Sequence, residues 1–298
     1  CQDFAATGTV HIFAISGAHV GMVALLGTVL LRALRIPLTR WFLVLAPLLA
    51  VYTIMTGAAT SAIRAGVMAT LMLAAPFLRH RSDAISTLCA AAIAILLVAP
   101  VQLGDLGFLL SFTAVAGLLA VPPVLDAWTV RLFRRDAWQL PGEEGSTRRG
   151  LREAGFWGVR YFNVTLGAWI ATAPLTAYFF NLFSPVALGM NLLVIPAAFV
   201  ILLAGVMSLI CAPFGGFLSV VFNHAAWAVS LFLTWCIEWA AALPGGHWFV
   251  RSPPAAGIAA WYVILAITAI MARRVRAALP LGLALLAALA LIWGVLDA

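Results

Sequence analysis

Ten stretches of mostly apolar residues, each close to the length needed to cross a bilayer, limit what this chain can become. They run near 12–31, 41–56, 62–78, 84–100, 106–124, 161–180, 186–211, 217–243, 255–272 and 278–296. One span takes about 20 apolar residues, so ten take about 200, out of 298 in all. Composition removes the alternatives. The chain is 64% hydrophobic and 9% charged, against roughly 25% charged for an ordinary soluble domain. Too few polar side chains remain to cover a soluble enzyme, and the chain is too apolar for disorder. The expected fold is all-α: a polytopic helical membrane protein of about ten spans, forming one domain over 1–298. Pro196 interrupts one run, and Pro213, Gly215 and Gly216 separate two others. A broken or re-entrant element is therefore allowed for near 186–216.

Arginine sets the orientation. All 17 basic residues are Arg, opposed by 10 acids for a net charge of +7. If the spans alternate, every arginine except Arg64 and Arg251 falls on one side of the membrane. That side is cytoplasmic by the positive-inside rule. Both chain ends then lie outside, which requires an even number of spans. Topology thus accounts for most of the positive charge, which by itself is poor evidence for a nucleic-acid partner. The loop 125–160 is the sizeable polar segment, with a turn signal at Pro141-Gly142-Glu143-Glu144-Gly145. Its flanks, Trp128 to Trp138 and Leu151 to Tyr161, mix Arg with aromatic and aliphatic residues. That mixture suits helices lying at the lipid headgroups, with a partner-docking loop as the competing reading. Four cysteines form no CxxC pair. Cys1 stands in place of a starting Met and no secretory signal precedes the first span, so the chain is expected to be a piece of a longer one.

Four stretches hold polar groups where polar groups are expensive. His11, Ser16 and His19 open the first span, with Gly17 and Gly21 at GxxxG spacing. A serine beside a histidine suggests a nucleophile and its base. No acid stands near to orient the histidine, so close helix packing is the favoured reading. Arg64 enters an apolar run among Thr60, Ser61 and Gly66. A charge there lines a pathway, pairs inside the protein or snorkels outward. Asp105 precedes Gly107 and Ser111 at the outer end of the fifth span, where it can pair with Arg64 or cap the helix. Asn181, Ser184, Pro185, Asn191 and Pro196 form the fourth group, with Asn191 divided between helix packing and pathway lining. His224 and Glu238 are further candidates for buried polar roles, separated by about four helical turns. The sequence shows no Walker-type loop, HExxH pair or dinucleotide glycine pattern, so no cofactor and no metal are expected.

Four of these segments carry a resemblance. HIFAISGAHV from His11 to Val20, TGAATSAIRAGVM from Thr56 to Met68, GFLLSF from Gly107 to Phe112, and the region Ser184 to Pro196 with its NLLVIP resemble the competence domain of ComEC-type DNA-uptake proteins. They occur in the expected order and spacing between about residue 9 and 200; beyond that the likeness is mainly hydropathy. Ala18 stands where the family has a larger aliphatic residue.

The resemblance implies an inner-membrane channel that admits single-stranded DNA during natural transformation, in a bacterial plasma membrane. It also implies neighbouring domains that this sequence does not contain: a small β-barrel of OB type before it and a metallo-β-lactamase-like hydrolase after it. No enzymatic activity is therefore expected of this segment. The implied partners are single-stranded DNA, the lipid bilayer, an extracytoplasmic DNA receptor or nuclease and cytoplasmic DNA-handling proteins; a homo-oligomer is compatible with the reading. His11, Ser16, Gly17, His19, Arg64, Asp105, Gly107, Ser111, Asn191 and Pro196 are the channel and motif residues. A sequence-tolerant path needs polar lining, some positive potential and aromatic faces, and Arg64 near the outer entrance supplies the charge. Two rivals remain: a small-solute or proton-coupled transporter using Arg64, His224 or Glu238, and an intramembrane hydrolase using Ser16 and His19.

Overall fold

In a bilayer every backbone N–H and C=O must find a partner inside the protein, so an apolar run of this length has to become a helix. A computed structural model describes residues 17–78, 83–129, 146–214, 216–243, 246–272 and 278–295. Each of the ten apolar runs is helical over nearly all of its described residues. The helices are α1 (Gly17–Ala33), α2 (Trp41–Met55), α3 (Thr60–Phe77), α4 (Ala84–Val98), α5 (Leu106–Ala120), α6 (Pro122–Thr129), α7 (Ser146–Phe180), α8 (Val186–Cys211), α9 (Gly216–Ala241), α10 (Ala255–Met271) and α11 (Ala278–Val295). Two short strands, β1 (Leu182–Phe183) and β2 (Trp248–Phe249), pair antiparallel with Leu182 opposite Phe249 and Phe183 opposite Trp248. Among the described residues, five segments are long and apolar enough to cross a membrane: Leu38–Met55, Thr60–Phe77, Leu106–Thr129, Val186–Cys211 and Gly216–Ala241. The all-α polytopic expectation therefore holds.

Two features differ from the sequence reading. The region 186–216 is not broken over residues 186–211. α8 runs without interruption from Val186 to Cys211 with Pro196 inside it, and the chain turns only at the 3-10 segment Ala212–Phe214. Proline removes one helical hydrogen bond, but a membrane helix tolerates that where neighbouring groups meet the freed carbonyl. The second difference is at Leu151 to Tyr161, which is no separate headgroup helix. It is continuous with the following span in the 35-residue α7, about 52 Å long at 1.5 Å per residue. That exceeds the roughly 30 Å hydrocarbon core. Nothing in the stretch stops a helix, because its first proline is Pro174. The Trp128 to Trp138 flank is described only at 128–129, and the Pro141–Gly145 turn lies outside the described residues.

The chain forms two compact units, residues 1–112 with 184–247 and residues 113–183 with 248–298. In the first, Val20, Leu49 and Ala62 tie α1, α2 and α3 together. Met190 and Val194 of α8 pack on Leu233, Ile237 and Ala240 of α9. In the second, Ile170, Ala173 and Ala177 of α7 pack with Val250, Trp261 and Leu286. Pro174 there removes the N–H that Ile170 O would otherwise accept from. The Trp261 indole donates to that carbonyl instead, at 3.0 Å, and the Tyr262 hydroxyl donates to Ala171 O at 3.0 Å.

Candidate functional site

The turn ahead of α3 determines where Arg64 sits. At the end of α2, Ala58 N–H donates to Thr53 O at 2.9 Å and Gly57 N–H to Ile54 O at 3.0 Å. This closure needs a left-handed residue just past the helix, and Gly57 provides it with φ of 84°. α3 then begins at Thr60, and Arg64 falls in its second turn, 2% exposed. The guanidinium is therefore buried in protein and does not snorkel.

Its partner is the residue expected. Arg64 Nη1 donates to Asp105 Oδ2 at 3.1 Å. The same oxygen accepts the Phe108 backbone N–H at 2.9 Å. Asp105 thus pairs with the arginine and caps α5 at once. The two partners are unequally covered: the Asp105 side chain is 47% exposed and that of Arg64 only 3%. Arg64 Nε is buried with no hydrogen-bond partner among the described residues. A buried cation is thus held by one carboxylate that water can reach. An incoming anion can compete for such a group.

Gly107 makes the pairing possible. A Cβ there would lie 2.8 Å from Arg64 Nη2 and 3.1 Å from Asp105 Oδ2. Real Cβ atoms do not approach a nitrogen that closely, so the missing side chain is the space the guanidinium occupies. Ser111 is half-buried one turn further along α5, on the face that carries Gly107.

α1 contributes Gly17, where a Cβ would meet Ala65 Cβ at 3.1 Å and Ser61 O at 3.4 Å. This close approach brings α1 against the turn of α3 that bears Arg64. Gly21 does not share it, since nothing lies within 4 Å of its Cβ position. The GxxxG spacing therefore acts through one glycine, not two. His11 and Ser16 lie outside the described residues.

His19 lines a cavity of about 280 Å³ with Ile201 and Leu202 of α8 and Ser230, Leu233 and Thr234 of α9. Ser230 Oγ donates to Ala226 O at 2.9 Å and Thr234 Oγ1 to Leu231 O at 2.8 Å. Their hydroxyl protons are used within the helix, and the oxygens keep lone pairs for an occupant. Both residues were missed in the sequence, although their four-residue spacing inside an apolar run was a usable signal. Asn191 is half-buried in the second turn of α8, and Pro196 is exposed.

Two other expectations are corrected. His224 and Glu238 are not buried; both are exposed on α9. They share that exposed surface with Trp227, Trp235 and Trp239. The His224 ring Nδ1 lies 2.8 Å from Val220 O. A polar group that sequence reasoning missed lies where α6 meets α7. Asn163, 2% exposed, donates to Asp126 Oδ1 at 2.7 Å and Thr129 Oγ1 at 2.9 Å.

Apolar helices with, among the described residues, one buried arginine held at the end of a neighbouring helix define a polytopic membrane protein with an ion-paired interior site. The family profile described as Competence protein matches residues 1–275. The chain belongs to that family. It is also 30% identical over 189 residues to ComE operon protein 3 of Bacillus subtilis (strain 168), a match covering 63% of this chain and 21% of that protein. The chain thus spans about a fifth of the curated relative it matches. No solved structure matches it.

Proposed function

We propose that this chain is the membrane domain through which single-stranded DNA enters a bacterial cell during natural transformation. In this reading it spans the plasma membrane with its arginine-rich connecting segments in the cytoplasm and both chain ends outside. The observation that carries the reading is the Arg64–Asp105 pair, a buried guanidinium held by a half-exposed carboxylate. A phosphodiester is an anion of the right charge to take the place of Asp105. Membership of the Competence protein family supports the process, and the cavity in the same unit brings His19, Ser230 and Thr234 to an otherwise apolar interior. The chain conducts and does not hydrolyse. An extracytoplasmic receptor or nuclease delivers the strand, and cytoplasmic DNA-handling proteins receive it.

The test is transformation by a host whose full-length protein carries Arg64→Ala or Asn191→Leu. Transformant yield is expected to fall while the amount of protein in the membrane stays unchanged. Arg64→Lys, which keeps the charge and loses the planar fork, is expected to fall between. Wild-type yield in both Arg64 variants would refute the role given to the ion pair.

A further inference from the structure

The paired strands β1 and β2 belong to no motif singled out in the sequence, yet they carry exposed aromatic rings on a hydrogen-bonded backbone. Their pairing is anchored from several directions. Asn181 ends α7 in the left-handed conformation, φ 54°. Its carbonyl accepts Val250 N–H at 2.9 Å. Its side-chain Nδ2 donates to Val250 O and to Ser252 Oγ, both at 3.1 Å. Ser252 Oγ in turn donates to Tyr178 O at 3.1 Å. Val250 is 6% exposed and sits in the core of its unit. The ribbon is therefore clipped to the end of α7 and is not a loose loop.

Its side chains divide by the two-residue period of a strand. On one face, Trp169 meets Phe183 edge-on at 5.2 Å, and Phe183 stacks on Trp248 at 6.2 Å with the rings 9° from parallel. Trp248, at the end of this ladder, is 50% exposed. On the other face stands Phe249, 77% exposed; Arg251, two residues on, is exposed and without an ion-pair partner among the described residues. An exposed ring on a clipped backbone with a guanidinium two residues on is a combination that binds single-stranded nucleic acid. The ring takes a base, and the cation takes the phosphate beside it.

We propose that the β1–β2 ribbon is a stacking platform for unpaired bases, with Phe249 as the base-binding ring and Arg251 as the phosphate contact. This rests on the orientation proposed above, which places residues 181–185 and 246–254 outside the membrane, where the strand arrives. A lipid anchor is the alternative occupant. It needs no pre-set backbone geometry, and the clip through Asn181 and Ser252 provides one.

The experiment is fluorescence anisotropy of a labelled single-stranded oligothymidylate with the intact protein in lipid nanodiscs, repeated over a range of salt concentrations. Phe249→Ala is expected to weaken binding about tenfold, the loss of one base stack, with the salt dependence unchanged. Phe249→Trp is expected to retain binding. Arg251→Gln is expected to lower the slope of log K against log salt by about 0.7. Wild-type affinity and slope in Phe249→Ala and Arg251→Gln, with the wild type binding normally, would overturn the platform and leave the channel reading standing. A wild-type protein that does not bind the oligonucleotide would also overturn the platform; transformation by the Arg64 variants then decides the channel separately. Fluorescence of Phe249→Trp quenched by brominated lipid, with no effect of Phe249→Ala on DNA binding, would make the ribbon a membrane anchor.

Discussion

Substituting Gly107 by alanine tests the Arg64 site through the sign of its effect on stability. Inside a helix, alanine is favoured over glycine by roughly 1 kcal/mol, less in a first turn. If Gly107 were a position of no consequence, Gly107→Ala would leave the protein as stable or slightly more so. The structure requires the opposite. The new Cβ would lie 2.8 Å from Arg64 Nη2 and 3.1 Å from Asp105 Oδ2. Either the Arg64 guanidinium shifts within its buried seat or α5 moves away from α3. Overpacking of this kind costs about 1–3 kcal/mol, and setting the helix gain against it leaves a net loss of up to about 2 kcal/mol. For a chain of this size that corresponds to at most roughly 4 °C in Tm. The assay is thermal unfolding of the purified protein in one detergent, followed by circular dichroism. The Arg64→Ala background supplies the control. With the guanidinium gone, the same change at 107 should become neutral or stabilising by a few tenths of a kcal/mol. Gly107→Ala at or above wild-type stability with Arg64 present would refute the reasoning, whatever the protein does.

The other predictions concern the scaffold. Trp261→Phe deprives Ile170 O of its donor and should cost about 1–3 kcal/mol of unfolding stability; most of that loss should vanish in Pro174→Ala, which restores the helical N–H. Asn163→Leu should cost about 2 kcal/mol in the same assay, because it strips two hydrogen bonds from a buried polar group. Asn181→Ala should loosen the ribbon, read as faster hydrogen exchange at the Val250 amide, since it removes both side-chain bonds and disfavours the left-handed backbone. Asp83 caps α4 by accepting from the backbone N–H and the hydroxyl of Ser86, at 3.0 and 2.9 Å, and these bonds hold its pKa below the usual carboxylate value. A carboxylate lowered on folding stabilises fully above its unfolded pKa of ~3.9 and loses that contribution as pH falls through the folded value. Protection of the Ser86 amide should therefore hold at neutral pH, fall in strong acid, and be weak at every pH in Asp83→Ala.

How much of this could be read in advance depends on which force decided each feature. The helices of the ten apolar runs were legible because the bilayer offers an apolar run no other outcome. The Arg64–Asp105 pair was legible because alternation of the spans put both residues at one membrane face. Gly107 was visible as a motif residue, but its reason was not, because only the packing shows what its Cβ would strike. Pro196 misled because a proline signal that ends soluble helices is tolerated in a membrane. Leu151 to Tyr161 misled because an amphipathic segment and a helix continuing into it carry the same pattern. His224 and Glu238 were misplaced because helical spacing says which residues share a face, not which way that face points. The ribbon was invisible: each strand is two residues long, and its partner lies far away in the chain.

The central claim is that the interior of the first unit is the path of the strand. The direct measurement is photocrosslinking during uptake, with a photoreactive residue placed at His19 in the full-length protein of a transformable host. His19 lines the cavity between α1, α8 and α9, whereas Leu97 on α4 is 80% exposed and serves as the outward-facing control. Crosslinks to incoming single-stranded DNA from position 19, and none from position 97, are the predicted result. No crosslink at position 19 in cells that still transform, or equal crosslinking at both positions, would contradict the claim.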